Sequence, residues 1–149
     1  MTSSANERLT VLLIDDNPDL LRALSLSLEV LGNFHVVSAI HGLEGLEKFF
    51  EAKPACVVID VKMPELDGYQ LVQALRGDPE SEATPLIILT ALAQDRDKFA
   101  GLAVGADAYL VKPTKPQDLI AAIRRVITTG VAERSRRLRQ LAEEESPTP

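Results

Sequence analysis

The sequence predicts a single α/β domain whose parallel sheet is covered by helices on both faces. Segments typical of strands alternate with segments typical of helices five times, a pattern that favours a parallel sheet. The central strand segments, VLLI, CVVI and LIIL, are apolar throughout, which is typical of strands buried on both faces. The 149 residues suit one domain of ordinary size.

The first strand and helix are predicted from the segment that runs from 10 to 32. The run TVLLI at 10–14 predicts a strand and stops at Asp15-Asp16-Asn17-Pro18, where Asn followed by Pro is typical of a helix start. Leucines then recur at helical spacing, and Gly32-Asn33 ends the helix. The leucines on this predicted face are Leu20, Leu21, Leu24, Leu28 and Leu31.

Four more pairs of strand and helix follow the first. We predict strands at 34–39, 55–59, 86–89 and 108–111, and helices at 42–52, 66–76, 95–104 and 117–129. Helix-breaking residues separate these segments, namely Lys53-Pro54, Gly77-Asp78-Pro79 and Gly105.

Composition excludes several classes of protein. With 16 Lys and Arg against 22 Asp and Glu, the net charge of −6 disfavours nonspecific binding to nucleic acid or to an acidic membrane. A single cysteine excludes an internal disulfide and a metal site made of four cysteines. The longest apolar run has five residues, whereas a membrane helix needs about 20. Together with a polar N-terminus, this predicts a cytoplasmic protein.

The charge distribution suggests three segments. Residues 1–8 are polar and are predicted to be disordered, and residues 9–129 form the domain. Residues 130–149 carry four Arg and four Glu, and we interpret them as a polar helical tail or linker. This tail could dock on the domain, extend the fifth helix or lead to a further domain.

Polar side chains follow four of the five predicted strands. Asp15 and Asp16 follow the first strand, Asp60 the third, Thr90 the fourth and Lys112 the fifth. The carboxyl ends of parallel strands share one edge of the sheet, where such folds bind ligands. We therefore expect three carboxylates, a hydroxyl and an ammonium group to meet there.

These side chains predict a metal-assisted phosphoryl acceptor. Crowded carboxylates disfavour each other's charged form unless a cation lies between them. Oxygen ligands without nearby His or Cys favour Mg²⁺, which keeps open positions for phosphate oxygens. Thr90 and Lys112 can donate to the remaining phosphate oxygens, and an aspartate can act as a nucleophile that forms an aspartyl phosphate.

Four segments in order resemble one known family. They are LLIDDNP (12–18), VVIDVKMPELDGYQL (57–71), IILTA (87–91) and GADAYLVKP (105–113). Over residues 9–129 the sequence resembles the receiver domain of two-component response regulators. The resemblance implies a flavodoxin-like, doubly wound sheet of five parallel strands in the order 2-1-3-4-5, with five helices.

The resemblance also implies a role for each polar residue at the sheet edge. Asp60 is the phosphoacceptor and becomes a 4-aspartylphosphate. Asp15 and Asp16 hold Mg²⁺ together with Asp60 and the backbone carbonyl of Lys62. Lys112 pairs with Asp60 and later with the phosphate.

A conformational switch and a set of partners are implied as well. Thr90 moves toward the phosphate, Tyr109 turns from an outward to an inward rotamer, and the Lys112–Pro113 peptide is expected to be cis. The partners are a sensor histidine kinase or phosphotransfer protein, and a downstream effector or an output domain outside this chain. The predicted fourth helix, fifth strand and fifth helix would form the output face and a homodimer contact.

Two other functions compete with this interpretation. A small phosphatase with an Asp nucleophile would generally need a second acid two residues after Asp60, where this sequence has Lys62. A receiver-like interaction module would work without phosphorylation. We predict a signalling domain that assists its own phosphorylation rather than an ordinary enzyme. Cys56 is predicted to be a core residue, and His41 a surface or loop residue.

Overall fold

The described residues contain one sheet of five parallel strands, whose order across the sheet is 2-1-3-4-5 in chain numbering, as predicted. The computed structural model of the protein describes residues 8–61, 66–91 and 105–145. The strands are β1 (Thr10–Ile14), β2 (His35–Ala39), β3 (Cys56–Ile59), β4 (Leu86–Thr90) and β5 (Ala108–Val111). β1 pairs with β2 on one side and β3 on the other, so the strand order reverses beside β1.

Four helices lie within the described residues. They are α1 (Pro18–Gly32), α2 (Gly42–Ala52), α3 (Gly68–Arg76) and α4 (Pro116–Glu145). The predicted helix at 95–104 lies outside the described residues, so α4 corresponds to the predicted fifth helix. None of the helices in the described ranges combines the length and apolar composition that a membrane crossing requires.

Two apolar cores lie on opposite faces of the sheet, because successive strand residues point to opposite sides. Val11 and Leu13 belong to the core under α1 and α4, whereas Leu12 and Ile14 belong to the core under α2 and α3. α1 contributes Leu21, Leu24 and Leu28, α4 contributes Leu119, Ile123 and Val126, and α3 contributes Leu71, Val72 and Leu75. Both faces of the central strands are therefore buried, which explains their apolar runs.

Local side-chain contacts set the helix ends that adjoin the sheet edge. The Asn17 side chain caps α1 by accepting hydrogen bonds from the backbone N–H groups of Asp19 and Leu20. Asp67 and Gln70 form a reciprocal capping box, so α3 begins at Gly68 rather than at the predicted residue 66.

The last helix is longer than predicted, because α4 continues through Gly130 to Glu145. One glycine costs a helix only about 1 kcal/mol, and the residues that follow are mainly strong helix formers. The predicted end at residue 129 was therefore wrong. The structure contains an extension of the last helix, which is one of the three arrangements considered for the tail. Among the α4 residues whose side chains are described, the buried ones lie between Leu119 and Val126.

Arg76, at the end of α3, ties together the turns that precede β4 and β5. Its guanidinium donates to the backbone carbonyls of Glu82 (2.9 Å), Thr84 (2.6 Å) and Gly105 (2.9 Å). It also contacts Asp107 Oδ2 at 2.8 Å, and the same oxygen accepts the first N–H of β4. The network holds the amino-terminal edge of the sheet, on the side away from the predicted site.

Candidate functional site

The structure brings the predicted polar residues together at the carboxyl edge of the sheet. Asp15 follows β1, Asp60 follows β3, Thr90 ends β4 and Lys112 follows β5. The Asp60 N–H donates to the Ile14 carbonyl at 2.9 Å, which fixes the ends of β1 and β3 side by side. These strands flank the point of strand-order reversal, where open α/β sheets bind their ligands.

Three carboxylates form a compact cluster at this point. Asp15, Asp16 and Asp60 each place an oxygen within 4.8 Å of the oxygens of the other two. Asp15 and Asp60 are 5% and 6% exposed, whereas Asp16 is exposed. Two buried acids and one exposed acid suit a hard cation that binds carboxylate oxygens and keeps a side open to solvent. The residues present therefore fit a divalent metal ion such as Mg²⁺.

Lys112 supplies a positive charge beside these acids. Its Nζ lies 2.7 Å from Asp15 Oδ2 and 3.7 Å from Asp60 Oδ2. The expected pairing of Lys112 with Asp60 is thus present as the longer of two contacts, and Asp15 is the nearer partner. The other Asp15 oxygen, Oδ1, accepts the Asn17 N–H at 2.9 Å. Both oxygens of this buried acid therefore have a donor.

Thr90 and Tyr109 are both buried. Thr90 has no exposed surface, and its carbonyl accepts the Lys112 N–H at 2.7 Å, which joins the ends of β4 and β5. Tyr109 is 9% exposed and packs in the core under α2 and α3. The Lys112–Pro113 peptide is cis, as predicted.

The start of α3 approaches the site backbone closely. The Gly68 N–H donates to the Val61 carbonyl at 3.0 Å, and a Cβ on Gly68 would lie 2.5 Å from the Asp60 carbonyl oxygen. Only glycine fits this contact. The predicted ligand carbonyl of Lys62 lies outside the described residues, so that part of the prediction stays open.

The sequence analysis missed a residue that organises the neighbouring helix. His41 caps α2, because its Nδ1 accepts the Glu44 N–H at 3.1 Å. Its neighbour Gly42 packs against Leu66 in the loop that follows Asp60. Histidine is not one of the preferred capping residues, so no signal in the sequence pointed to this cap.

Cys56 lies in the core, as predicted. It has no exposed surface, and burial, followed by the negative charge of Asp107, raises the pKa of its thiol. The thiol is therefore protonated at neutral pH, which suits a packing role.

The fold and the acidic cluster define a class of signalling domain. Residues 11–124 match the model of the response regulator receiver domain, and the chain belongs to that family. It is a receiver domain of two-component signal transduction, a class whose members are phosphorylated by histidine kinases.

Curated relatives named as regulators are similar to this chain over most of its length. The chain is 41% identical over 122 residues to the probable transcriptional regulator ycf27 of Pyropia yezoensis, covering 82% of this chain and 49% of that protein. It is 36% identical over 121 residues to the response regulator Rre1 of Synechocystis, covering 81% and 52%. The chain spans about half the length of these relatives.

Two solved structures illustrate the likeness in three dimensions. A putative response regulator from Chloroflexus aurantiacus superposes with a TM-score of 0.77 at 32% identity, covering 82% of this chain and 99% of that one. The chemotaxis protein CheY4 of Vibrio cholerae gives a TM-score of 0.75 at 34% identity, covering 80% and 98%. The likeness therefore extends over nearly the whole of each of these two chains.

Proposed function

We propose that this chain accepts a phosphoryl group on Asp60 from the phosphohistidine of a sensor histidine kinase or phosphotransfer protein. The observation that carries the proposal is the position of Asp60. It lies at the strand-order reversal, with an oxygen within 4.8 Å of Asp15 and Asp16 oxygens and 3.7 Å from the Lys112 ammonium. A carboxylate in this setting can act as a nucleophile while its neighbours balance the incoming charge.

In the proposed transfer, a carboxylate oxygen of Asp60 forms a bond to phosphorus. The P–N bond to the donor imidazole breaks, and its electron pair stays on the ring nitrogen. Asp15, Asp16, Asp60 and the carbonyl of Lys62 would hold Mg²⁺. When bound, the metal offsets the negative charge of the acids and of the phosphoryl oxygens.

Lys112 lies close enough to Asp60 to contact the phosphoryl group after transfer. Before transfer its ammonium is divided between Asp15 at 2.7 Å and Asp60 at 3.7 Å. After transfer the phosphoryl group on Asp60 carries more negative charge than the original carboxylate. We propose that Lys112 then binds the phosphoryl group.

Thr90 and Tyr109 would couple the new anion to the far side of the domain. Thr90 ends β4 and would donate its hydroxyl to a phosphoryl oxygen. Tyr109, on the adjacent strand, would change rotamer in response. Such a change would alter the surface made by β5, α4 and the predicted helix at 95–104.

That surface would bind the output partner. Val111 of β5 is 39% exposed there, which leaves apolar area for a contact. Because the chain spans only about half the length of its relatives, and the ycf27 relative is a probable transcriptional regulator, we propose a downstream effector or an output domain as the partner. We also propose this surface as the place where phosphorylated copies pair.

The test is intact mass after incubation with acetyl phosphate and Mg²⁺. We expect one phosphoryl adduct on the wild type, none on Asp60→Asn, and a normal adduct on Asp118→Asn, whose exposed carboxylate lies in α4. Chelation of the metal should abolish the adduct. An adduct on Asp60→Asn, or none on folded wild type with Mg²⁺, would contradict the proposal, and the second result would favour an interaction module.

A further inference from the structure

A groove of about 610 Å³ lies between α1 and the edge strand β2. It is bordered by apolar side chains that the domain itself leaves uncovered. Leu26 is 63% exposed, and Ile40, just after β2, is 48% exposed. Val30, one helical turn beyond Leu26, is 70% exposed. We call the groove, together with Leu26 and Ile40 that line it, the α1–β2 surface.

The α1–β2 surface is separate from the features used above. Leu21, Leu24 and Leu28 already fill the core with the inner face of α1, so Leu26 and Val30 extend apolar character to its outer face. A surface helix ordinarily carries polar residues there. β2 and β5 are opposite edges of the sheet, so this surface lies away from the proposed output face. Adjoining exposed apolar residues of this kind mark interaction sites.

Charges on α1 indicate which partner fits. Arg22 and Glu29 both line the groove. Along α1 they lie equally far, in opposite directions, from a point between Ser25 and Leu26. If a second α1 packs antiparallel about that point, Arg22 of each copy lies opposite Glu29 of the other. The small side chain of Ser25 at the centre lets the two helices approach closely.

Both charged groups have capacity for such a contact. Among the described residues, no cation lies within ion-pair distance of Glu29. Arg22 donates to Asp19 in the same helix, and its guanidinium carries five N–H donors, so others are left over. A two-fold contact would form the Arg22–Glu29 pair twice, once on each side of the axis.

We propose that the α1–β2 surface is a docking site for a second copy of this chain, with the two α1 helices antiparallel about a two-fold axis near Ser25 and Leu26. The contact needs neither metal nor phosphorylation. It also leaves β5, at the opposite edge of the sheet, uncovered. Only a few apolar side chains take part, whereas a specific stable interface buries about 1,200–2,000 Å². The expected dimer is therefore weak, with dissociation in the micromolar range or above.

Sedimentation equilibrium of the full, unphosphorylated chain from about 1 to 500 µM tests the proposal, since this range brackets micromolar dissociation. Wild type should show a reversible dimer, and Leu26→Glu should weaken it at least about tenfold, because the change is counted twice. Leu43→Glu is the matched control, because Leu43 is 52% exposed but lies on α2 outside the groove. It should leave dissociation unchanged. Circular dichroism checks that both variants fold.

Charge reversal gives the sharper result. Arg22→Glu and Glu29→Arg should each weaken the dimer, and the double variant should restore it. A chain that is monomeric throughout the range would overturn the proposal and leave the surface to a different partner. A dimer that persists in Leu26→Glu would also overturn the proposal. The same holds for a dimer that is dissociated by Val111→Glu, at the opposite edge of the sheet.

Discussion

Replacing Gly68 with alanine is expected to destabilise the domain and displace the backbone that carries Asp60. Gly68 is the first residue of α3 and packs directly on the end of β3. A Cβ would lie 2.5 Å from the Asp60 carbonyl oxygen and 2.7 Å from the Val61 Cα. Both are backbone atoms, so no side-chain rotation can relieve the contact.

The size of the effect follows from that overlap. Ordinary contact begins near 3.4 Å, so α3 and the strand end must separate by about 0.9 Å. Overpacking of this kind costs about 1–3 kcal/mol, and the better helix propensity of alanine offsets at most about 1 kcal/mol. We therefore expect the free energy of unfolding to fall by about 1–2 kcal/mol. This loss is large against a total of about 5–15 kcal/mol for a typical domain.

The matched control is Gly77→Ala at the other end of α3. Its φ of −84° is ordinary for any residue, and its Cβ would meet nothing closer than the Gln73 carbonyl oxygen at 3.3 Å. We expect the free energy of unfolding to stay within about 0.5 kcal/mol of wild type. Urea unfolding, compared at equal m-values, measures both variants.

The same movement should slow phosphorylation. The Asp60 carbonyl belongs to the residue that carries the proposed nucleophile, and a displacement near 1 Å can cost up to about a hundredfold in rate. The rate of adduct formation with acetyl phosphate measures this loss. The reasoning is refuted if Gly68→Ala is as stable as Gly77→Ala, or if it is destabilised yet phosphorylated at the wild-type rate.

Four further substitutions or treatments probe other features of the structure. Arg76→Ala should lower the free energy of unfolding by about 2–4 kcal/mol, because it removes four hydrogen bonds, three of them to backbone carbonyls; urea unfolding checks this, and an unchanged midpoint would count against the network. His41→Ala should cost about 1 kcal/mol by removing the α2 cap, whereas His41→Asn should keep most of it; equal losses in thermal unfolding would argue against capping. Addition of Mg²⁺ should raise the melting temperature of wild type but not of Asp16→Asn, whose exposed carboxylate completes the cluster; an equal rise in both would remove Asp16 from the metal site. Because burial raises its pKa, the Cys56 thiol should resist a disulfide reagent at pH 8 until the protein unfolds; rapid labelling of the native protein would contradict this.

Short-range patterns in the sequence were enough to predict most of the fold. β1, β3 and β4 could be predicted from their apolar runs. A strand that is buried on both faces has apolar residues at successive positions, whereas a half-buried strand alternates apolar and polar residues. The end of α4 was mispredicted, because Gly130 and the change in composition suggested a stop. The helix continues because the residues beyond Gly130 favour it more than one glycine opposes it.

Contacts between distant residues could not be predicted in the same way. Arg76 reaches residues up to 31 positions away, and nothing in its own neighbourhood distinguishes it from another surface arginine. The His41 cap depends on one ring nitrogen facing a particular N–H group, which only the folded backbone determines. The α1–β2 surface likewise can be recognised only in the folded chain, where Leu26 and Ile40 line the same groove at the edge of the sheet.

The sequence by itself determined which residues lie together at the candidate site, because the carboxyl ends of parallel strands lie at the same edge of a sheet. The positions of Asp15, Asp16, Asp60, Thr90 and Lys112 follow from strand order and the family's motifs. Only the tertiary structure decided how they differ: Asp16 is exposed while Asp15 is buried, and Lys112 lies 2.7 Å from Asp15 but 3.7 Å from Asp60. Burial and ångström-scale distances depend on how the helices pack around the sheet, and no local pattern in the chain encodes them.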